Sequence, residues 1–408
     1  MVFAPMQAPP VWSVALGSVA LWVAVAAFAR RARGAQYGAF LAVILGIHTL
    51  AAQGVLSAAG ALWPVALYLH VTVYVHFALL VRPTLRGGLY RALVSVPGSW
   101  FFAAAFLAVP WSIARALGFS PWLPWLPFAV ALLGLVDSLG AREDERDLWL
   151  DRTPVPTLRR HRTTGPRDDR PLRLVQITDP HLGPFMSVAA LHAVCARAVA
   201  RDPDLVLLTG DLLTMESQRD PAWLTAALAP LKALPGRCFA CLGNHDHEAL
   251  DTVVTALRAN GVTLLVDAAA VADTALGPVE IIGFDFHWRD RARHLADVCA
   301  RYPRREGLAR IAMLHDPGAF RHLPEGAAEL VLSGHTHGGQ VGLLRLGLDA
   351  TVVSALSDVP DHGAWALGRA RLYVHRGTGH YGFPLRIGVP AERSLLRVHG
   401  LHTPSATS

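Results

Sequence analysis

The sequence LVLSGHTHGG, residues 330–339, places a short apolar run directly before two histidines and three glycines. An apolar, branched run of this length is typical of a buried strand, and glycines permit the tight turn that ends it. His335 and His337 are two residues apart, so their side chains point the same way in extended chain. Paired imidazoles between glycines contribute little to packing, and they indicate a metal site at the end of a strand.

Four other apolar runs end in polar side chains in the same way. The segments that follow the runs 172–178, 205–209, 237–242 and 310–314 are Asp179-Pro180-His181, Gly210-Asp211, Gly243-Asn244-His245-Asp246 and His315-Asp316-Pro317. Layered α/β proteins bind ligands beyond the carboxyl ends of their strands. We therefore expect all five segments to converge at one edge of a sheet.

Helical patterns separate these runs. Helices are predicted over 187–201, 221–233 and 248–259, and further strands over 279–284, 329–333, 371–375 and 394–398. Strands that alternate with helices favour one layered α/β domain, which we place at 172–400 with a short tail at 401–408. The C-x-x-C pair Cys238 and Cys241 lies in an apolar run without a second such pair, so we interpret both as core residues.

The polar segments suit two divalent ions better than one. The seven candidate ligands are Asp179, His181, Asp211, Asn244, His315, His335 and His337. Seven ligands are too many for one tetrahedral ion, but they fit two ions if one carboxylate bridges. Carboxylates mixed with imidazoles favour manganese, iron or zinc. Two ions ~3.5–4 Å apart activate a water and assist in-line displacement at phosphorus. His245 then remains as a proton donor to the leaving oxygen, oriented by Asp246.

The first third of the chain is apolar, in line with a mean hydropathy of +0.34. Five stretches have about the ~20 residues needed to span a bilayer, and they run over 11–29, 37–57, 61–81, 92–110 and 121–139. Arginines follow the first, third and fifth stretches. By the positive-inside rule, residues 1–140 form a multi-pass region of the inner membrane, and the rest of the chain lies in the cytoplasm.

Two polar features of the membrane half allow two interpretations each. Residues 141–171 are rich in Arg, Asp and Pro, and we interpret them as a basic juxtamembrane linker. This linker either binds anionic headgroups or only fixes the orientation. His48, His70 and His76 lie inside predicted spans, where a histidine either forms hydrogen bonds between helices or marks a functional site.

The five polar segments resemble the calcineurin-like metallophosphoesterase superfamily, whose pattern is D-x-H, G-D, G-N-H-[DE], H and G-H-x-H. The resemblance covers roughly 172–400 and implies a four-layer α/β/β/α sandwich with the metals at the sheet edge. It implies a first metal held by Asp179, His181, Asp211 and His337, with Asp211 bridging, and a second completed by Asn244, His315 and His335. It also implies that His245 is the catalytic histidine and Asp246 its partner.

A weaker similarity concerns the tail of the domain. Arg376-Gly377-Thr378-Gly379, Pro384, Arg386 and Pro390-Ala391-Glu392 resemble a bacterial subgroup. That subgroup includes membrane-bound phosphoesterases and a pyrophosphatase that hydrolyses UDP-2,3-diacylglucosamine. Arg376 and Arg386 either contact a substrate phosphate or are surface arginines. Members of the superfamily often carry extra cap insertions that recognise the substrate. No insertion of obvious length is found in this sequence, so the sequence does not indicate the substrate.

The leading hypothesis is a hydrolase of phosphate esters or pyrophosphates that acts at the membrane on a phosphorylated small molecule or lipid. A membrane sensor that uses the domain as a binding module is the alternative from another class. A nuclease is disfavoured despite the formal charge of +6, because the positive charge clusters beside the membrane half. Basic and aromatic residues also do not alternate as in stacking surfaces for nucleic acid.

Overall fold

The computed structural model describes residues 10–161, 164–165 and 167–401, so nearly all of the predicted tail lies outside the described residues. The chain forms two compact units. The first comprises the residues up to Val136 together with Gly382–Ile387, and the second comprises Asp137–Tyr381 and the residues from Gly388 onward.

The first unit is made of apolar helices. Its helices, with α7 ending in the second unit, are α1 (Val11–Arg33), α2 (Ala35–Ala58), α3 (Trp63–Leu80), α4 (Gly88–Tyr90), α5 (Val96–Leu107), α6 (Val109–Ala116) and α7 (Leu126–Leu139). Within the described residues, three helices are long and apolar enough to cross a membrane, and a fourth span results if the pair bent by 48° at Ala108 is counted as one. The fifth predicted span is a helix of only 14 residues, shorter than the ~20 that a bilayer requires.

Hydrogen bonds join the polar residues of these helices. The His70 ring lies 2.8 Å from Ser18 Oγ through Nε2 and 3.1 Å from His48 Nε2 through Nδ1. Thr49 Oγ1 and the Tyr74 hydroxyl lie 2.7 Å apart. These contacts link α1, α2 and α3 and favour the structural interpretation of His48 and His70, since polar groups in an apolar bundle stabilise it by pairing across helices.

The second unit contains thirteen strands in two sheets among its described residues. They are β1 (Ala141–Trp149), β2 (Val155–Arg160), β3 (Leu172–Ile177), β4 (Leu205–Thr209), β5 (Cys238–Cys241), β6 (Thr263–Leu264), β7 (Ala268–Thr274), β8 (Gly277–Gly283), β9 (Ala309–Met313), β10 (Leu330–Ser333), β11 (Gly363–Gly368), β12 (Ala370–Val374) and β13 (Ala391–His399). The first sheet has the order β1-β13-β3-β4-β5-β6, and the second has the order β2-β11-β12-β10-β9-β8-β7. Strands β3 to β6 are parallel, as are β8, β9, β10 and β12.

Within the part of the second unit that the structure describes, five helices belong to it: α8 (Val188–Ala200), α9 (Pro221–Leu228), α10 (Leu250–Ala259), α11 (Arg291–Arg301) and α12 (Val352–Leu356). One apolar core packs α8, α9 and α10 against the first sheet, and it includes Cys195 and Cys238. A second core is built from both sheets, with Leu174 and Leu207 from the first and Ile311 from the second. A third core packs α11 against the second sheet. The mixed α/β architecture predicted from the strand pattern is therefore confirmed.

Residues 141–171 are not the linker that we expected, because they contain β1 and β2. β1 pairs in parallel with β13 along its whole length. Its acidic side chains bind arginines far along the chain: Asp144 lies 2.8 Å from Arg376, and Asp147 lies 2.8 Å from Arg397. A strand whose charges are neutralised from elsewhere carries no apolar periodicity, so the sequence pattern missed it.

Candidate metal centre

The ends of the parallel strands bring the polar segments together, and several site residues adopt an uncommon backbone conformation. Positive φ angles between 46° and 66° occur at Asp179, His181, Asp211, His335 and His337. Such angles are rare outside glycine and cost of order 1–3 kcal/mol each, and they concentrate at functional sites. The surrounding turns hold these five side chains toward one another at that cost.

The first cluster consists of Asp179, His181 and His337, all buried, whose ligand atoms lie within 4.8 Å of one another. The Nε2 atoms of the two histidines are 3.2 Å apart, and His337 Nε2 is 3.5 Å from Asp179 Oδ1. Two imidazole nitrogens that face each other at this distance compete for one proton. A cation placed between them accepts both lone pairs, so the cluster fits a metal ion.

The second cluster consists of Asp211, His315 and His335, again with ligand atoms within 4.8 Å of one another. His315 Nε2 lies 3.3 Å from Asp211 Oδ2. The same carboxylate oxygen lies 3.7 Å from His181 Nε2 of the first cluster. Asp211 thus adjoins both clusters, as a bridging ligand requires, whereas Asp179 Oδ1 of the first cluster lies 4.0 Å from His315 Nε2.

Hydrogen bonds behind the clusters fix the histidine rings. His315 Nδ1 donates to the Thr209 carbonyl over 2.6 Å, and His181 Nδ1 donates to the Leu213 carbonyl over 3.3 Å. Both rings therefore direct Nε2 into the site, as metal-binding histidines do. The Asn244 Oδ1 atom is buried and accepts no hydrogen bond from the described residues, so it is available as a candidate ligand atom.

Burial and neighbouring charges shift the pKa values of the site residues in different directions. Burial raises the pKa of Asp179 to about 6, and the Asp211 charge adds to this while His315 opposes it. Burial also acts to raise the pKa of Asp211, but His315, His181 and His245 together outweigh it and hold that pKa well below its usual range. Burial lowers the pKa of His181 to about 3. An ionised Asp211 beside a neutral His181 is the state in which both residues bind metals.

Asp246 does not orient His245 in the way that the sequence suggested. Its buried carboxylate accepts hydrogen bonds from three backbone amides, those of Asp211, Leu212 and Gly243, over 2.8, 2.8 and 2.9 Å. It therefore ties the end of β4 to the end of β5. The side chain that contacts the His245 ring is Glu248, 2.8 Å from Nδ1. Residues 246–249 form a 3-10 turn, which brings position i+3 beside His245.

The balance of charge at His245 favours its protonated form. Burial acts to lower the pKa of His245, but the hydrogen bond to Glu248 and the Asp211 carboxylate outweigh it, so the pKa is raised. The backbone amide of His245 also donates to Asp211 Oδ1 over 2.8 Å. A protonated imidazole is thus held beside the candidate bridging ligand, where a proton donor is useful.

Three aromatic side chains that the motifs did not indicate line the site. The Tyr381 ring is stacked on His181 at 5.1 Å between centroids and meets His245 edge-on at 4.9 Å. Phe286 and Trp288 lie 5.7 and 6.3 Å from the His335 ring. Single aromatic residues outside a motif carry no sequence signal, so only the structure identifies them.

Arg376 and Arg386 are both buried, contrary to the interpretation of surface arginines. Arg376 lies 2.8 Å from Asp144 and 3.1 Å from Glu392. Two carboxylates neutralise its charge, so this pairing favours a structural role over a contact to a substrate phosphate. Arg386 belongs to the first unit, whereas the seven candidate ligands belong to the second.

Glycines permit the close approach of the strand ends. A Cβ atom on Gly334 would lie 2.1 Å from Asp179 Oδ2, and one on Gly243 would lie 2.2 Å from Asp211 Oδ1. Both distances are shorter than any van der Waals contact, so a larger residue would displace a candidate ligand.

We expect Gly243→Ala to reduce hydrolysis by about 10–100-fold, the usual effect of disturbing the support of a metal ligand. The reason is steric, because the added methyl group would occupy the position of the Asp211 carboxylate. Initial rates with a nitrophenyl phosphodiester test this expectation. Gly87→Ala is the matched control, since a Cβ atom there meets nothing within 4 Å. Equal activity of the two variants would contradict the steric argument.

Comparison with known proteins identifies the class to which this site belongs. Residues 172–339 match the calcineurin-like phosphoesterase family. Residues 172–339 thus form a domain of the calcineurin-like phosphoesterase type, and this domain is that of a hydrolase acting on phosphate esters.

Individual relatives match little more than half of the chain. The chain is 29% identical to "Phosphodiesterase YaeI" of Escherichia coli over 59% of its own length and 87% of the relative. It is 26% identical to "UDP-2,3-diacylglucosamine pyrophosphatase LpxG" of Chlamydia trachomatis, over 55% of its own length and 83% of the relative. A "Transmembrane protein with metallophosphoesterase domain" of Danio rerio is 27% identical over 54% of this chain and 52% of the relative, so only about half of that relative is matched. Together with the apolar helices, this last relative indicates membrane association.

Proposed function

We propose that the chain hydrolyses a phosphate ester or a pyrophosphate at a pair of divalent metal ions. Asp179, His181, Asp211 and His337 would hold the first ion, and Asn244, His315 and His335 would complete the second with Asp211. The observation that carries this proposal is the position of Asp211, 3.7 Å from a histidine of one cluster and 3.3 Å from a histidine of the other. The mixture of imidazoles and carboxylates favours manganese, iron or zinc.

The protein groups around the site support hydrolysis. When bound, two such ions neutralise phosphate oxygens and lower the pKa of a water. His245 donates a proton to the leaving oxygen, and Glu248 keeps its ring in position through the contact at Nδ1. Tyr381 packs against His181 and His245 and restricts the freedom of both rings. Asp246 fixes the turns that present Asp211.

We expect His245→Ala to slow cleavage of an alkyl phosphodiester by roughly 10²–10⁴-fold, the range for a lost general acid. With a nitrophenyl diester the loss should stay below about tenfold, because nitrophenolate leaves without a proton. Turnover numbers on both substrates measure the difference. The exposed His192→Ala is the matched control and should change neither rate. An equal loss on both substrates would contradict the assignment of His245 as the proton donor.

We propose further that the second unit is a four-layer α/β/β/α sandwich that begins near Asp137 rather than at 172. The three apolar cores support this layering, since one lies between helices and the first sheet, one includes both sheets, and one lies between the second sheet and α11. The start is supported by Asp137, whose carboxylate lies 2.7 Å from Arg345 and accepts from the amide of Gly388.

The hydrolytic site is proposed to face the cytoplasm at a multi-pass inner-membrane anchor. Basic residues at the end of α1 support this orientation, because Arg30, Arg31 and Arg33 occupy its last turn. Exposed leucines on either side of Arg345 support a position close to lipid: Leu343, Leu346 and Leu348 are 45%, 73% and 53% exposed. Arg345 itself is bound to Asp137 at the end of α7.

Two alternatives to a general phosphoesterase, a lipid pyrophosphatase and a sensor, can be distinguished by experiment. The relative from Chlamydia suggests a lipid pyrophosphatase, which a panel of UDP-2,3-diacylglucosamine, a soluble diester and a monoester distinguishes by turnover. If only the soluble substrates are cleaved, the lipid pyrophosphatase is excluded. A sensor that uses the domain for binding alone would show no metal-dependent cleavage of any of the three substrates.

A further inference from the structure

A third group of metal-binding side chains lies outside the site described above. Asp267, His287 and His294 have ligand atoms within 4.8 Å of one another. Asp267 directly precedes β7, His287 follows β8, and His294 lies in the first turn of α11. Three separate elements thus present these side chains at one point, although no motif in the sequence connects them.

The local contacts are those of a site that needs little rearrangement to bind an ion. His294 Nε2 lies 2.8 and 2.9 Å from the two carboxylate oxygens of Asp267. The rings of His287 and His294 are 3.9 Å apart between centroids. Ligands at ~2.0–2.1 Å from a tetrahedral ion are about 3.4 Å apart, so an ion would only have to replace the proton between His294 and Asp267.

We propose that Asp267, His287 and His294 bind one divalent first-row ion, with zinc as the favoured species. Two imidazoles and one carboxylate are a ligand set that zinc commonly takes, and a fourth position would be open to water. That position is accessible because the His287 side chain is exposed. Two cations lie close by: Arg301, 3.6 Å from Asp267 Oδ2, and Arg291, whose Nε donates to the His287 carbonyl over 3.0 Å. The Arg301 pair is the one that an ion would displace. The Arg301 side chain is more than half exposed and can turn into solvent when an ion binds.

This third site is joined to the catalytic clusters by residues 285–288. The amide of Asp285 donates to Asp267 Oδ1 over 2.9 Å. Phe286 lies 6.0 Å from the His315 ring and 5.7 Å from the His335 ring between centroids. Trp288, on the other side of His287, also lies next to His335. An ion on His287 therefore holds the segment that covers the second catalytic cluster, without being a catalytic metal itself.

Zinc content after equilibrium dialysis of the full chain in detergent tests the proposal. At free zinc concentrations that saturate the unaltered protein, we expect His287→Ala and His294→Ala to bind about one ion less per chain. His192→Ala, which removes an exposed histidine on α8, should retain the full content. The difference of one ion should persist in an Asp211→Asn background, which separates this site from the catalytic pair.

The exposed position of His287 keeps the test decisive, because its replacement by alanine leaves the contact between His294 and Asp267 in place. Unchanged zinc content in both variants at every concentration would overturn the proposal. Loss of zinc in His294→Ala alone would overturn it as well, since that result points to a damaged fold rather than a shared ion.

Discussion

Asp211→Asn should reduce kcat/KM for a phosphodiester by at least about a thousandfold in the presence of manganese. Asp211 adjoins both candidate metal clusters, and its pKa is held well below the usual range, so it remains an anion at every pH at which the enzyme would work. A neutral amide cannot bridge two cations equally well. Two-metal sites contribute several kcal/mol of stabilisation to the transition state, and about 4 kcal/mol corresponds to a thousandfold change in rate.

The matched control is Asp273→Asn, which removes an exposed carboxylate on β7 and should leave kcat/KM unchanged. Steady-state rates should be taken over a range of manganese concentrations, so that weakened binding of the metal is separated from a slower reaction. Activity of Asp211→Asn within tenfold of the unaltered chain at saturating manganese would count against a bridging role.

Asp246→Ala should destabilise the second unit by about 3–5 kcal/mol. The substitution leaves three backbone amides without their shared acceptor, those of Asp211, Leu212 and Gly243, in a region where the carboxylate is fully buried. Each hydrogen bond to a charged group contributes about 1.5–3 kcal/mol, and an unsatisfied buried donor adds to the loss. For a unit of this size, the thermal midpoint should fall by roughly 10 °C.

A thermal melt of the full chain in detergent measures this effect. Asp251→Ala is the comparison, because Asp251 is an exposed acid in the first turn of α10 and its loss should cost less than about 1 kcal/mol. If both variants melt at the same temperature, Asp246 does not link the ends of β4 and β5. Asp246 would then regain the role that its position next to His245 first suggested.

The strand ends show why much of the site was predictable. Asp179 and His181 follow β3, and His335 and His337 follow β10, at the places where the apolar runs end in the sequence. A parallel sheet brings the ends of its own strands to one edge, so a local pattern predicts which side chains of that sheet meet. The meeting of β3 with β10 depends in addition on the core that the two sheets share. The predicted strands over 205–209 and 371–375 agree with β4 and β12 within one residue for the same reason.

The role of Asp246 was not predictable, because it depends on the direction of a side chain in a turn. Asp246 is next to His245 in the chain, yet its carboxylate points back to the amides at the strand ends. Glu248, two positions later, reaches the ring instead. The spacing of three residues between His245 and Glu248 was a usable signal, since residues that far apart meet on one face of a helical turn.

The edge strand β1 and the last apolar helix, α7, show a second limit of prediction from the sequence. Two acidic residues of β1 find arginines more than two hundred positions away, in the pairs Asp144 with Arg376 and Asp147 with Arg397. In the helix α7, Asp137 is buried and paired with Arg345, although it lies in a stretch that reads as a span. Pairing at such separation is a property of the folded chain, and hydropathy counts each charge as if it stood alone.

The most direct measurement is an anomalous diffraction map of crystals of the full chain grown with manganese. The proposed site predicts two peaks ~3.5–4 Å apart, one among Asp179, His181 and His337 and one among Asn244, His315 and His335, with an Asp211 oxygen bound to both. A single peak, or two peaks that do not share Asp211, would contradict the two-metal site on which the proposed hydrolysis depends.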